Sequence, residues 1–411
     1  MDSLSKKLQA LGVKLGTSEL AYPKPDPGSP TLVDILPGKW LSTPFGETFV
    51  VSQDYPLDHT QGEVRIYPQS PLDPIGLWVG DEGLSGVPLD KFIFIDTETT
   101  GLSGGTGTYT FLIGAGRFLD NAFRLNQYFM RDPAEEAAQL AALEAFLAPA
   151  QVIVSYNGKA FDLPRLNTRF RAHGWPPPLE DVIHLDLLHL TRRLYSSLLE
   201  SCTLGSIEYS LLQFTRKEDD VPGWQVADLF FDYLQTGDPS PLTKIYYHND
   251  MDVVSMPALL NLLSHRLANP FQPGFEDHPD LLPIGKFYKH LGKFDFAEEI
   301  LSEVISSKLT PDNLFLEGLK ELSFIYKKKR LYDRAIPLWE QAAGHGEIYA
   351  SIELAKVYEH HLSSPPEAIH WTLTALDICR GDNLPEHKAQ SLLPQLKHRL
   401  QRLKTKHKKS C

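Results

Sequence analysis

Four apolar residues in a row, Phe92-Ile93-Phe94-Ile95, predict a short buried strand. Residues 109–118 and 123–130 predict two more, with Asp120-Asn121 as the turn between them. Asp132-Pro133 then opens an alanine-rich helix over 134–147, with Asp as its cap and Pro in its first turn. Residues 152–156 predict a fourth strand and 163–173 a helix. The chain from Asp181 reads as largely helical, ending in a long helix over 246–265. Three consecutive strands, a helix and a central strand predict an α/β fold, a mixed sheet flanked by helices. Upstream, residues 1–85 read as an extension. Its first part, 1–16, patterns as a short amphipathic helix. The rest is rich in Pro, Gly, Asp and Ser, with strands expected at 48–52 and 62–67. His59 there is more simply a satisfied loop histidine than a ligand.

Beyond a Pro-rich linker at 267–282 the period changes. Tyr288 precedes Ala297 by nine residues, Tyr326 precedes Ala335 by nine, and Tyr358 precedes Ala368 by ten. Each tyrosine ends one apolar helix pattern and each alanine opens another. The alanines lie 38 and 33 residues apart, close to the roughly 34-residue tetratricopeptide period. Residues 283–396 therefore read as helical repeats, the alternative being three unrelated helical hairpins. Residues 397–411 form a basic tail, read first as solvated and frayed and second as an auxiliary contact to a nucleic-acid backbone.

A chain of 411 residues predicts two or three domains, and 42 % apolar content can build their cores. The formal net charge is −12. A nucleic-acid binder with that balance must gather its basic residues locally, because its global field repels phosphate. Lys159, Arg165, Arg192 and Arg193 are candidates, though each also suits a solvated helix or loop position. Cys202, Cys379 and Cys411 form neither a CxxC pair nor a zinc spacing. That argues against a disulfide framework and predicts a reducing, cytoplasmic setting. No apolar run approaches a membrane span, so no membrane partner is expected.

The first strand runs into two carboxylates one residue apart, in Asp96-Thr97-Glu98-Thr99-Thr100-Gly101-Leu102. Strand side chains alternate, so Asp96 and Glu98 project from one face. Two adjacent carboxylates repel unless a cation lies between them, and oxygen ligands suit Mg²⁺ or Mn²⁺. The plainer reading is a strand end with a polar turn. After the strand at 152 comes Tyr156-Asn157-Gly158-Lys159-Ala160-Phe161-Asp162, where Asp162 is either a helix cap or a third carboxylate for a two-metal site. The fourth piece is His248-Asn249-Asp250-Met251-Asp252. His248 and Asp252 are four apart and share a helix face, as a surface pair or as site residues.

The order Asp-x-Glu, then Asp, then His with Asp resembles the DEDD exonuclease superfamily on the ribonuclease-H-like fold. The likeness covers about residues 91–265. The stretches 185–189, 201–204 and 220–224 look like its bacterial YprB-type subgroup, in which tetratricopeptide-like repeats often follow. The resemblance implies an exonuclease domain over 86–266. It makes Asp96, Glu98, Asp162 and Asp252 ligands of two divalent ions, with Asp96 bridging. It sets Thr97, Thr99, Gly101 and Leu102 against the terminal nucleotide, Leu102 as an apolar wedge, and Asn157 near the substrate. This chain departs from the family in one respect. The well-known branches carry Tyr four before the last Asp or His five before it, whereas here His248 is at minus four and Tyr247 at minus five. His248 is assigned as general base, with Tyr247 as the alternative.

The implied reaction is hydrolysis of phosphodiester bonds from the 3′ end of single-stranded DNA or RNA. His248 takes a proton from the attacking water, and its ordinary pKa of about 6.5 suits that work. Two other readings stand beside it. One is a nucleic-acid-binding or scaffolding protein with a weak nuclease site. The other gives the main role to the repeats, whose groove would take a protein partner.

Overall fold

The computed structural model describes residues 30–101, 107–217, 220–272, 281–307, 310–381 and 384–410. The chain divides after Ala268 into two compact units. The expected helix over 1–16 and the wedge residue Leu102 lie outside the described residues.

The run Phe92-Ile93-Phe94-Ile95 is completely buried and forms the first half of strand β5. Before it come β1 (Gly38–Thr43), β2 (Gly46–Pro56) and the short hairpin β3 (Thr60–Gln61) and β4 (Val64–Arg65). β5 itself spans Phe92–Thr99, and β6 (Thr110–Phe118), β7 (Ala122–Phe129), β8 (Val152–Ser155) and β9 (Ile183–Asp186) follow. Among the described residues, seven of these strands form one mixed sheet in the order β1-β2-β7-β6-β5-β8-β9. β5 pairs antiparallel with β6 and parallel with β8, and β8 pairs parallel with β9. The strand expected at 48–52 is longer than its apolar core, because β2 pairs along its length with β7 and adds two strands to the sheet edge.

Helices cover both faces. Leu140 and Leu143 of α3 and Leu163, Leu166 and Phe170 of α4 pack on Ile93, Ile95, Ile113 and Ile153. These helices span Glu136–Leu147 and Asp162–Ala172, after the short α1 (Leu32–Ile35) and α2 (Asp73–Val79). On the opposite face, α7 (Gly223–Thr236) and α8 (Leu242–Ala268) cover Phe111, Leu112 and Phe129. The rings of Phe111 and Phe230 stack 4.0 Å apart. Each fully buried side chain of this size contributes about 1.5–3 kcal/mol. Between them lie α5 (Leu187–Tyr195), α6 (Leu204–Ile207) and a single π turn, Glu208–Leu212.

The stretch from Asp181 departs from the expected helical reading. Residues 183–186 form β9, an edge strand held by its pairing with β8. Four residues are too few to carry a period, so pairing with a distant strand decides the outcome.

The second unit is all helical: α9 (Leu281–His290), α10 (Phe294–Ser306), α11 (Asp312–Lys328), α12 (Tyr332–Gly344), α13 (Ile348–His360), α14 (Pro365–Arg380) and α15 (Glu386–Ser410). Consecutive helices pack on each other. Ala297, Ala335 and Ala368 are fully buried where the helices meet. The basic tail is not frayed at 397–410, where it continues α15. Leu396 and Leu403 are buried, and Arg399 and Arg402 bond the buried Glu359 at 2.5 and 2.7 Å. Among the described residues, no helix is long and apolar enough to cross a membrane.

Candidate functional site

β5 delivers its two acids to the sheet face that α8 covers. Asp96 stands opposite Gly114 of β6 and Glu98 opposite Leu112, with a register shift after Glu98. Gly114 has to lack a side chain, because a Cβ there would lie 2.2 Å from Asn249 Oδ1 and 2.8 Å from Val253 Cγ2. That clearance lets α8 lie close against the acids. Asn249 is fully buried and donates to Asp96 Oδ2 at 2.9 Å, while Gln127 Nε2 donates to Asn249 Oδ1 at 3.0 Å and to the Tyr246 carbonyl at 2.8 Å. α8 thus carries an amide that orients Asp96, and one turn further on it carries Asp252.

The third acid arrives from β8. The backbone turns sharply after Ser155, and Asn157 sits in the left-handed region at φ 66°, which asparagine tolerates better than most residues. Asp186 fixes this turn by accepting from the Asn157 and Lys159 amides at 2.8 and 3.0 Å, and it caps α5 by accepting from Leu188. Asp186 therefore braces the loop that leads to Asp162. Asp162 is the first residue of α4, and its side chain accepts the Thr97 hydroxyl at 2.5 Å instead of capping the helix. Thr97 lies on the opposite side of β5 from Asp96, so the strand end touches acids from both faces. Thr99 donates to the Gly101 carbonyl at 3.0 Å and closes the turn beyond β5.

Four carboxylates thus interact at one end of the sheet. Burial, followed by the charges of Asp252, Asp162 and Glu98, pushes Asp96 well above the usual carboxylate range, and the Asn249 amide opposes this. Glu98 is pushed up to about 8, chiefly by burial, with His248 and Arg216 pulling against Asp252 and Asp162. Asp162 rises to about 6, again chiefly by burial.

His248 faces Asp252, with Nε2 3.7 Å from Asp252 Oδ2 and Nδ1 3.0 Å from Asp220 Oδ1. Burial lowers its pKa, but Asp252, Glu98 and Asp220 outweigh that and the net shift is upward. Tyr247 points elsewhere. Its hydroxyl accepts from the Lys217 amide at 3.0 Å, and the Lys217 ammonium lies 4.8 Å from its ring centroid.

The sequence did not point to Arg216. Its guanidinium bonds Asp252, reaches Glu208 at 2.6 and 2.7 Å, and lies 3.3 Å from both Asp220 Oδ2 and His248 Nδ1. Glu208 in turn accepts the Ser255 hydroxyl at 2.5 Å, and Gln61 Nε2 donates to Ser255 at 3.0 Å. A lone arginine carries no local pattern, and its four partners come from three separate elements. Asn249 had a faint signal, since it lies one residue beyond His248. Lys159 is exposed, as are Arg192 and Arg193 on α5; none of these three makes an ion pair among the described residues.

The donor set fits divalent cations, because four interacting carboxylates, Glu98 buried and the three aspartates partly so, carry more negative charge than Arg216 and His248 neutralise. Among the described residues, no three acidic or imidazole side chains stand close enough to form a ready cage. An ion held by Asp252 would have to displace the Arg216 guanidinium from it.

The mixed sheet, with acids gathered where β5 and β8 end, defines a ribonuclease-H-like domain, and a family model of the RNase_H superfamily matches residues 93–264. The match begins in β5 and ends in α8, so it encloses Asp96, Glu98, Asp162, His248 and Asp252. Membership points to nuclease activity, which in this superfamily typically uses divalent metals. The chain is also 32 % identical over 321 residues to the Bacillus subtilis (strain 168) protein described as uncharacterized protein YprB, over 75 % of each chain. The chain belongs to that protein's RNase H-like family.

Proposed function

We propose that this chain is a DEDD-type 3′→5′ exonuclease acting on single-stranded nucleic acid. The observation that carries the reading is the meeting of Asp96, Glu98, Asp162 and Asp252 at one end of the sheet, with His248 against the last of them. These four acids would hold two divalent ions, Mg²⁺ or Mn²⁺, which supply charge stabilisation to the attacking and leaving oxygens of the phosphodiester. His248 accepts the proton of the attacking water through Nε2. Asp220, bonded to Nδ1, holds the ring in that orientation. Asn249 and Gln127 keep Asp96 in place, and Thr97 does the same for Asp162. Thr99, Gly101, Leu102 and Asn157 would border the terminal nucleotide. Tyr247 is the less suited base, since its hydroxyl is held at Lys217.

The helices of the second unit support a tetratricopeptide-like reading, with small buried Ala297, Ala335 and Ala368 at recurring positions. Their groove would take a peptide or helix of a protein partner. Cytoplasmic action is consistent with the three unpaired-looking cysteine positions in the sequence.

The test uses the full chain with Mg²⁺ or Mn²⁺ on matched 5′-labelled DNA and RNA, single- and double-stranded. Stepwise shortening from the 3′ end is expected, and its loss in Asp96→Ala. Intact substrates, or identical behaviour of Asp96→Ala, would sink the reading. The contact between Arg216 and Asp252 favours a second reading, a weak nuclease site in a nucleic-acid-binding protein. Calorimetry with Mn²⁺ separates the two, because a decayed site shows no carboxylate-dependent binding.

A further inference from the structure

An open cleft of about 520 Å³ adjoins the acids. Its walls are segments 203–205 and 221–223, together with Arg216, Asp220, His248 and Asp252. Its size lies within the roughly 300–1,000 Å³ usual for small-ligand sites. The segment 221–223 runs close to the imidazole: a Cβ on Gly223 would lie 3.8 Å from His248 Nε2.

The next residue is Trp224, in the first turn of α7. It is 72 % exposed, and among the described large apolar side chains only Tyr209, at 71 %, approaches it. Further along α7, Val226 and Phe230 are buried in the core, and Phe231 is 41 % exposed, well short of Trp224. Among the described residues, the Trp224 indole makes no ring contact or hydrogen bond. A tryptophan left in water next to a catalytic cleft lacks a structural reason for its size.

The charge of the cleft sharpens the question. Asp220 and Asp252 line it, Arg216 is already bonded to three acids, and the whole chain carries −12. A phosphate backbone gains little from such walls, so a strand must be gripped by contacts that do not depend on its charge. Every base has a flat π face, so stacking on an aromatic ring tolerates any sequence.

We propose that Trp224 is a base-stacking platform at the edge of the cleft, taking an unpaired base of the single-stranded substrate. This deepens the nuclease reading above and rests on it. A stacked base beside Gly223 fixes where the sugar–phosphate chain passes His248. Trp224 is thus a strand-positioning residue, distinct from the groups that handle the proton.

The experiment uses the full chain carrying Asp96→Ala, so that bound strands stay intact. Anisotropy of 5′-labelled strands is read for a base-bearing oligonucleotide and for an abasic sugar–phosphate strand of equal length. Adding Trp224→Ala is expected to weaken the base-bearing strand about 5- to 150-fold and to change the abasic strand less than about twofold. Trp224→Phe should retain most of the affinity, and strand binding should quench indole emission that Trp224→Phe removes. Unchanged affinity of Trp224→Ala for the base-bearing strand, or an equal loss on both strands, overturns the proposal. So does a change of oligomeric state in Trp224→Ala by sedimentation, which would assign the ring to contact between copies. If the chain with Trp224 intact binds neither strand, the nuclease reading falls as well; stacking failing alone leaves strong binding that ignores the bases.

Discussion

Replacing Arg216 with methionine tests whether one buried guanidinium holds the site together without metal. The Arg216 side chain is 12 % exposed and that of Glu208 only 1 %. Two of its nitrogens hold both Glu208 oxygens, and a third lies against Asp220. Methionine fills much of the volume and supplies no charge, so Glu208 and Asp252 would face each other unpaired. Breaking a buried pair from one side costs about 3–5 kcal/mol. Ser255 still donates to Glu208, which places the expected loss near 3 kcal/mol.

The loss should depend on pH, and its sign follows from Glu208. Burial already raises that carboxyl despite Arg216. Without the guanidinium it rises further, so the folded protein holds a proton that the unfolded chain releases. Stability then falls as pH rises from the ordinary glutamate value toward the folded one. The gap between wild type and Arg216→Met should therefore widen from pH 5 to pH 8. Urea unfolding followed by circular dichroism gives the free energies. Adding Glu208→Gln to Arg216→Met should recover part of the loss, since it removes the stranded charge. A loss below about 1 kcal/mol, or strictly additive losses in the double variant, would refute the reasoning.

Three more outcomes follow from the same site. Metal-free protein should lose stability as pH rises from about 4.5 to about 8, because folded Glu98 keeps its proton to about 8; a chelator-treated urea series at fixed ionic strength checks this, and a flat profile contradicts it. Asp96→Asn should stabilise the metal-free protein by about 1–3 kcal/mol by removing a carboxylate whose charged form is disfavoured first by burial and then by Asp252, Asp162 and Glu98, while abolishing Mn²⁺ binding measured calorimetrically. Gly114→Ala should cost about 1–3 kcal/mol and weaken metal binding, because the added methyl collides with the Asn249 amide that orients Asp96; an unchanged melting temperature would show that α8 can move away freely.

Much of the sheet was legible in the chain. The run from Phe92 to Ile95, the two strands after it and the helices over 136–147 and 162–172 all carry apolar patterns long enough to identify. The shared face of Asp96 and Glu98 followed from strand alternation alone, and both carboxylates, raised first by burial, are pushed up further by the charge of Asp252 on α8. β9 was not legible, because its four residues acquire strand form only through β8. The basic tail misled for a different reason. Its charge is conspicuous, while the apolar stripe of Leu396 and Leu403 and the distant Glu359 that pairs its arginines are not. Arg216 lay beyond reach altogether. Nothing local marks it, and its role exists only where α8, the π turn and the loop before α7 converge.

That convergence bears on how the site is assembled. The frame that sets the acids, the β5–β6 pairing with Gly114 clearing space for α8, consists of backbone and neutral amides. It sets the carboxylates side by side despite their repulsion. Three kinds of positive charge can relieve that repulsion: protons on Asp96 and Glu98, the guanidinium on Asp252, and divalent metal. The first is displaced as pH rises, and the second is tethered by Glu208, which keeps Arg216 within reach after it releases Asp252. On this reading metal loading is an exchange of cations in a preset frame. It should release protons, and its affinity should rise with pH through the range in which Glu98 ionises.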